Sequence, residues 1–101
     1  MTVKSVAPLV KQVTAFFGKV SAEFPEIQSV HYRRIEDNLE VYVLAELDRQ
    51  REDAFYAKEA ELLRTVAPGA LLVHLLNTAN FEKDAKSVLP EGALPLELSL
   101  V

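Results

Sequence analysis

The fold is decided by the stretch LEVYVLAELDRQREDAFYAKEAELLRTV, residues 39–66. From Leu39 to Leu47 apolar residues occupy every second position, which predicts a β-strand with one face against a core. Asp48 is a typical N-cap for a helix that continues to about residue 66, where Pro68-Gly69 follows as a stop signal. A strand followed directly by a helix predicts an α/β unit at the centre of the chain.

Upstream of this unit the sequence predicts a helix and a strand. A helix over residues 6–22 is indicated by apolar residues at three- and four-residue steps, with Ser5 as its cap. Residues 27–35 are rich in β-branched, aromatic and long side chains, and residues 36–38 are polar and typical of a turn. The segments 27–35 and 39–47 therefore predict an antiparallel hairpin.

Downstream, residues 70–76 form an apolar run of strand length. A strand, a crossover helix and a returning strand normally lie parallel in one sheet, so we expect the order 1-2-3 with both helices on one face. The predicted class is α+β, a two-layer sandwich. The C-terminal extension predicts a short helix within residues 78–89 and an extended arm or fourth strand over residues 93–101.

The order helix-strand-strand-helix-strand resembles a ferredoxin-like sandwich without its first strand. Over about residues 6–76 it is similar to the order in the cytoplasmic regulatory domains of cation-efflux transporters. Only the order of the elements matches, so the resemblance assigns neither a function nor a metal ligand to this chain.

Length and composition limit the function classes. A chain of 101 residues predicts a single domain, residues 1–101, with a core at about 5–77 and a C-terminal extension at about 78–101. The net charge of −4 disfavours nucleic acid as a partner. The lack of cysteine excludes disulfides and thiolate chemistry, and the lack of a long apolar run predicts a cytoplasmic protein outside the membrane.

The charged residues at the start of the second predicted helix are the best candidates for catalysis. Asp48, Arg51 and Glu52 follow the central strand at its C-terminal end, a common place for α/β active sites, and Tyr56 lies one helical turn beyond Glu52. The alternative interpretation is ordinary helix entry, in which Asp48 caps, acidic groups complement the helix dipole and arginines form local pairs. We expect no cofactor, and we favour a non-enzymatic protein.

His31 and His74 are the candidate metal ligands, because imidazole is the commonest metal-binding side chain. On the two strands that flank the central one, their backbones would lie about 9–10 Å apart, which disfavours joint binding of one ion within a single chain. Ligands from two copies would avoid this difficulty, so a metal or small-ligand sensor at a dimer junction is a further hypothesis. The run from His31 to Arg34 also fits a charged edge strand or, less well, a nucleic-acid surface.

The sheet face opposite the helices is the candidate interaction surface. Tyr42 and Leu44 point to that face, together with either Leu72 and Leu76 or their neighbours. An uncovered apolar sheet face usually marks association, and the leucine-alternating tail could cover it within the chain or from a second copy. The leading hypothesis is therefore an interaction or regulatory module that forms a homodimer, or binds another protein, through the side chains Tyr42, Leu44, Leu94, Leu96 and Leu98.

Overall fold

Two helices and four strands make up the computed structural model of the chain, which describes residues 7–36, 38–80 and 89–96. The elements are α1 Ala7–Glu23, β1 Ile27–Ile35, β2 Asn38–Ala45, α2 Arg49–Leu63, β3 Leu71–Asn77, a 3₁₀ turn at Thr78–Asn80 and β4 Leu94–Pro95. None of the helices in these ranges is long and apolar enough to cross a membrane. The predicted cap Ser5 and most of the predicted C-terminal helix, residues 81–88, lie outside the described residues.

The strands form one mixed sheet in the order β3-β2-β1-β4. β1 and β2 are antiparallel, with His31 opposite Tyr42, whereas β2 and β3 are parallel, with Tyr42 beside His74. The predicted hairpin and the predicted order of the first three strands are confirmed, and the class is α+β. The ferredoxin-like order is not confirmed, since the sheet has the order β3-β2-β1-β4, with β2 and β3 as a parallel pair and β4 added beside β1.

The fourth strand is two residues long and pairs with the outer edge of β1. Leu94 lies opposite Tyr32, and the amide of Leu96 donates a 2.8 Å hydrogen bond to the carbonyl of Val30. The expectation of a strand or arm in the C-terminal extension thus resolves into a short strand within the same chain.

Both helices pack on one face of the sheet, as predicted. That face carries the alternate residues of β2 from Leu39 to Ala45, which are fully buried. α1 contributes the predicted positions Val13, Phe17 and Val20 at i, i+4 and i+7. Each such side chain stabilises the fold by about 1.5–3 kcal/mol relative to an exposed one.

α2 differs from its predicted form in length and in its buried face. It ends at Leu63 because the hydroxyl and the amide of Thr65 both bond to the carbonyl of Leu62. Phe55 and Leu62 are its buried residues, two turns apart, whereas Tyr56 and Leu63 are exposed. The apolar residues of this segment predict an inward stripe of Phe55, Tyr56, Ala60, Leu63 and Ala67. Phe55 is buried as predicted, but the prediction is wrong for Tyr56 and Leu63, because the helix carries few apolar residues from which its orientation can be read.

Candidate functional site

Asp48, the first residue of the predicted catalytic cluster, is the N-cap of α2. Its Oδ1 accepts a 2.8 Å hydrogen bond from the amide of Arg51, and its carbonyl accepts one from the amide of Glu52. These bonds satisfy donors that the first turn of a helix leaves open. The interpretation of Asp48 as a cap is therefore confirmed.

Arg51 joins the start of α2 to the end of α1. Its guanidinium donates to both carboxylate oxygens of Glu26, at 2.7 and 3.1 Å, and to the carbonyl of Glu23 at 2.7 Å. The same group lies 4.3 Å from the ring centroid of Phe24, close enough for a cation–π contact. The hydrogen bond between the two side chains lowers the pKa of Glu26 and raises the pKa of Arg51. Arg51 holds neighbouring elements together.

Glu52 and Tyr56 complete the predicted cluster, but they lie in different surroundings. Glu52 accepts a 2.7 Å hydrogen bond from the side chain of Asn77 at the end of β3. Tyr56 is exposed, with its ring 6.1 Å from that of Phe55, and partial desolvation with the charges of Glu52 and Glu59 raises its pKa. The structure brings Asp48, Arg51 and Glu52 into one helical turn, where each one binds structural partners.

Asn77 is the site residue that sequence reasoning missed. It is buried and makes four hydrogen bonds: it donates to Leu47 and Glu52 and accepts from the amides of Leu47 and Ala79. Asn77 directly follows the apolar run 70–76, where an asparagine by itself indicates no more than the end of a strand. Its position is the signal that could have identified it. Asn77 lies beside Ala45 at the end of β2, next to a loop whose backbone groups need polar partners.

The outer face of the sheet, opposite the helices, carries a row of rings across three strands. His31 of β1, Tyr42 of β2 and His74 of β3 are neighbours in register. The rings of Tyr42 and His74 are stacked, with centroids 5.0 Å apart and 15° between their planes. Tyr42 thus separates the two histidines, in agreement with the expected spacing of two strands.

Glu40 is the centre of a hydrogen-bonded network on this outer face. It accepts from Arg33 at 2.9 Å and from the hydroxyl of Tyr42 at 2.8 Å, and it lies 3.2 Å from Nε2 of His74. The bond from Arg33 lowers the pKa of Glu40, with smaller contributions in the same direction from Tyr42 and His74, although burial opposes them. Burial, together with the charge of Glu40, raises the pKa of Tyr42. One carboxylate therefore links three strands.

The candidate metal ligands form no complete site with the other described residues of one chain. Nε2 of His31 lies 3.0 Å from the hydroxyl of Ser29, and His74 has Glu40 as its neighbour. The described ranges contain no group of three histidine, cysteine or acidic residues arranged to hold a metal ion. His74 with Glu40 offers two ligands, and a tetrahedral zinc site needs at least one more.

The run from His31 to Arg34 does not present its groups on one surface. Tyr32 packs against the core on the helix side of the sheet, whereas His31 and Arg33 lie on the outer face. Nε of Arg34 donates to the carbonyl of Glu36 in the hairpin turn. The aromatic and basic groups are thus split between two faces, which does not favour base stacking.

The predicted interaction residues have different exposures. Tyr42 and Leu44 do point to the outer face, and they are only 7% and 1% exposed in the single chain, so these two side chains are covered within the chain itself. Leu96 is also buried, as part of the core. Leu94 is exposed, and Leu98 lies outside the described residues.

A groove of about 320 Å³ lies between the two helices and was not predicted from the sequence. The side chains of Gln12 and Thr65 form a 2.6 Å hydrogen bond between its two walls. None of the predicted catalytic, metal or interaction residues lines it. Its lining residues are Gln12, Ala15, Phe16, Lys19, Glu61, Leu62 and Thr65.

Comparison with known proteins adds no family to this description. No family model, no curated protein and no solved structure gives a significant match to the chain. The site must therefore be interpreted from its own geometry.

Proposed function

We propose that the protein is a non-enzymatic interaction module that forms a homodimer through apolar side chains at the margins of its sheet. The observation that carries the proposal is the exposure of Leu72 on β3 and Leu94 on β4, at 49% and 54%. These strands are the two ends of the sheet. Exposed leucines at both ends supply apolar surface that association would remove from water.

The polar side chains that could serve catalysis already have structural partners, which favours a role in binding over catalysis. Asp48, Arg51 and Glu52 have structural partners, and Glu40 is bound by three neighbouring side chains. A catalytic site needs side chains that are directed at a space where substrate can lie. The described groove between the helices contains none of these residues. The described groove thus gives the enzyme hypothesis no support.

Because Leu44 in the middle of the outer face is buried, the proposed contact lies elsewhere on the sheet. Leu44 is almost fully buried in the single chain, so a partner would gain little by approaching it. Leu72 and Leu94 offer more apolar area. The proposal therefore keeps self-association and places it at the sheet margins.

The test is the mass of the full chain in solution, measured by light scattering over about three decades of concentration. We expect a dimer whose population falls on dilution. Leu72→Glu or Leu94→Glu, whichever alters the end of the sheet that forms the contact, should shift the midpoint of association to at least about tenfold higher concentration, because it places a charge at an apolar contact. Leu63→Glu, which alters an exposed leucine on α2, is the matched control and should leave the midpoint unchanged. A chain that stays monomeric throughout would overturn the proposal.

A metal-dependent role would use the same outer face, and it needs ligands from a second copy. Zinc titration by calorimetry separates this possibility from simple association. Binding of about one zinc ion per dimer, abolished by His74→Gln, would support a metal-responsive module. No heat of binding would exclude it and leave the dimer proposal unaffected.

A further inference from the structure

β3 is a terminal strand of the sheet, and its outer edge pairs with no other described strand. Its sequence, LLVHLLN over Leu71–Asn77, contains no lysine, arginine, acidic residue or proline. Proteins usually protect an exposed edge with such residues or with a bulge, because unpaired backbone groups are a template for another strand. An unprotected seven-residue edge favours pairing with another chain.

The pairing of β3 with β2 determines which backbone groups of β3 point to its outer edge. The amide of Leu39 donates to the carbonyl of Ala70, and Leu39 is in register with Leu71. In a parallel ladder, backbone groups of alternate residues point to the same neighbour, so the even-numbered residues of β3 face β2. The outward N–H and C=O groups therefore belong to Leu71, Val73, Leu75 and Asn77.

We infer that β3 pairs antiparallel with β3 of a second copy, about a two-fold axis at His74. In this register Val73 lies opposite Leu75 of the partner subunit, and Leu71 lies opposite Asn77 of the partner subunit. All four residues have outward backbone groups, so the pairs form about eight inter-chain hydrogen bonds. The two sheets join into one continuous sheet, with the helices of both copies on the same side.

The side-chain pattern selects this register. On the outer face Leu72 lies opposite Leu76 of the partner subunit, and the reverse pair follows by symmetry. The exposed Leu72 is then covered by another leucine, while the two copies of His74 meet at the axis. A two-fold axis at Val73 or at Leu75 would instead place His74 opposite a leucine. The sequence of β3 is thus self-complementary around His74, which identifies a second copy as the partner.

This inference rests on the proposed self-association and specifies its edge and register. Cysteine cross-linking of the full chain tests it, because the natural sequence has no cysteine. His74→Cys places two thiols opposite each other across the axis, within reach of a disulfide. Leu72→Cys is the matched control, since its two thiols would lie about 13 Å apart along the strands. Leu94→Cys reports on association through β4.

Under mild oxidation with diamide, we expect the His74→Cys dimer to exceed the Leu72→Cys dimer by at least about tenfold. An equal mixture of Leu72→Cys and Leu76→Cys chains should cross-link although neither does so alone, and this pair keeps His74 intact. Circular dichroism of each reduced variant checks that it folds.

Two results would overturn the inference, and they differ in what else they remove. In the first, the chain is dimeric by light scattering but cross-links through Leu94→Cys and through neither β3 arrangement. This result would exclude the proposed register and keep the proposed dimer. A chain that is monomeric by light scattering removes both the register and the proposed function.

Discussion

Asn77 shows how much one side chain can determine in a small domain. Its amide group satisfies both backbone groups of Leu47, in the loop between β2 and α2, and also binds Glu52 in the first turn of the helix. A buried backbone N–H or C=O without a partner is costly, so this loop depends on a residue thirty positions away. The strand-to-helix connection is therefore fixed by β3 as well as by its own cap.

Asn77→Ala should lower the free energy of unfolding by about 1–3 kcal/mol, because it leaves the amide and the carbonyl of Leu47 unsatisfied. Asn77→Asp should be at least as harmful at neutral pH, since a carboxylate cannot donate to Leu47 and would face Glu52. Urea denaturation measures both changes.

Asn38→Ala, at an exposed asparagine that begins β2, is the control and should change the free energy by less than about 0.5 kcal/mol. Equal effects of the two alanine substitutions would show that the bonds of Asn77 do not stabilise the fold.

At the scale of elements, β2 is the strand on which the sheet depends. It lies between β1 and β3, and its two faces have different roles. Val41 and Val43 are in the core beneath the helices, whereas Glu40 on the outer face accepts hydrogen bonds from β1 and from its own strand and lies beside His74 of β3. One strand thus supplies both the apolar core and the polar link between neighbouring strands.

The link through Glu40 predicts a dependence of stability on pH. The carboxyl has a lower pKa in the folded chain than its ordinary value of 4.5, so the unfolded chain binds its proton more readily. Its contribution is complete above pH 4.5 and is lost as the pH falls through the lower, folded value. The wild-type chain should therefore be more stable than Glu40→Gln at about pH 7, and this advantage should shrink at about pH 3.

Urea midpoints of both proteins at the two pH values provide the measurement. The difference in midpoint between the two proteins at each pH isolates the contribution of Glu40, because the lowered pKa of Glu26 affects both proteins alike. Glu46→Gln, at an exposed position, serves as the control. A gap between wild type and Glu40→Gln that stays constant with pH would contradict the assigned network.

At the scale of the whole molecule, the C-terminal segment returns to the sheet and completes its fourth strand. Leu94 and Leu96 are two residues apart on β4 and just beyond it, and both belong to the predicted arm. Leu96 packs in the core at 9% exposure, whereas Leu94 faces solvent. The segment therefore has a structural role within the chain, whatever it does between chains.

Leu96→Ala should lower the free energy of unfolding by about 2–5 kcal/mol, the usual cost of truncating a buried leucine. Leu94→Ala should cost less than about 0.5 kcal/mol. Urea denaturation at low protein concentration compares the two without a contribution from association. Similar costs for both would show that Leu96 does not belong to the core in solution.

Features that depend on neighbouring residues could be predicted from the sequence. The alternation in β2, the cap at Asp48 and the Pro68-Gly69 stop each express a local preference, and together they predicted the central unit. Gly69 has a φ of 79°, a conformation for which glycine is suited at such a stop. Most elements of the described fold follow from signals of this kind.

Features that depend on residues far apart in the chain arise only when the chain folds. Arg51 binds Glu26 because folding brings the start of α2 to the loop between α1 and β1. Asn77 binds Leu47 because folding brings the end of β3 to the loop between β2 and α2. The same is true of the near-complete burial of Leu44, which alternation assigned to a face without showing how exposed that face would be. Such contacts are set by packing and long-range hydrogen bonds, for which a local pattern carries no signal.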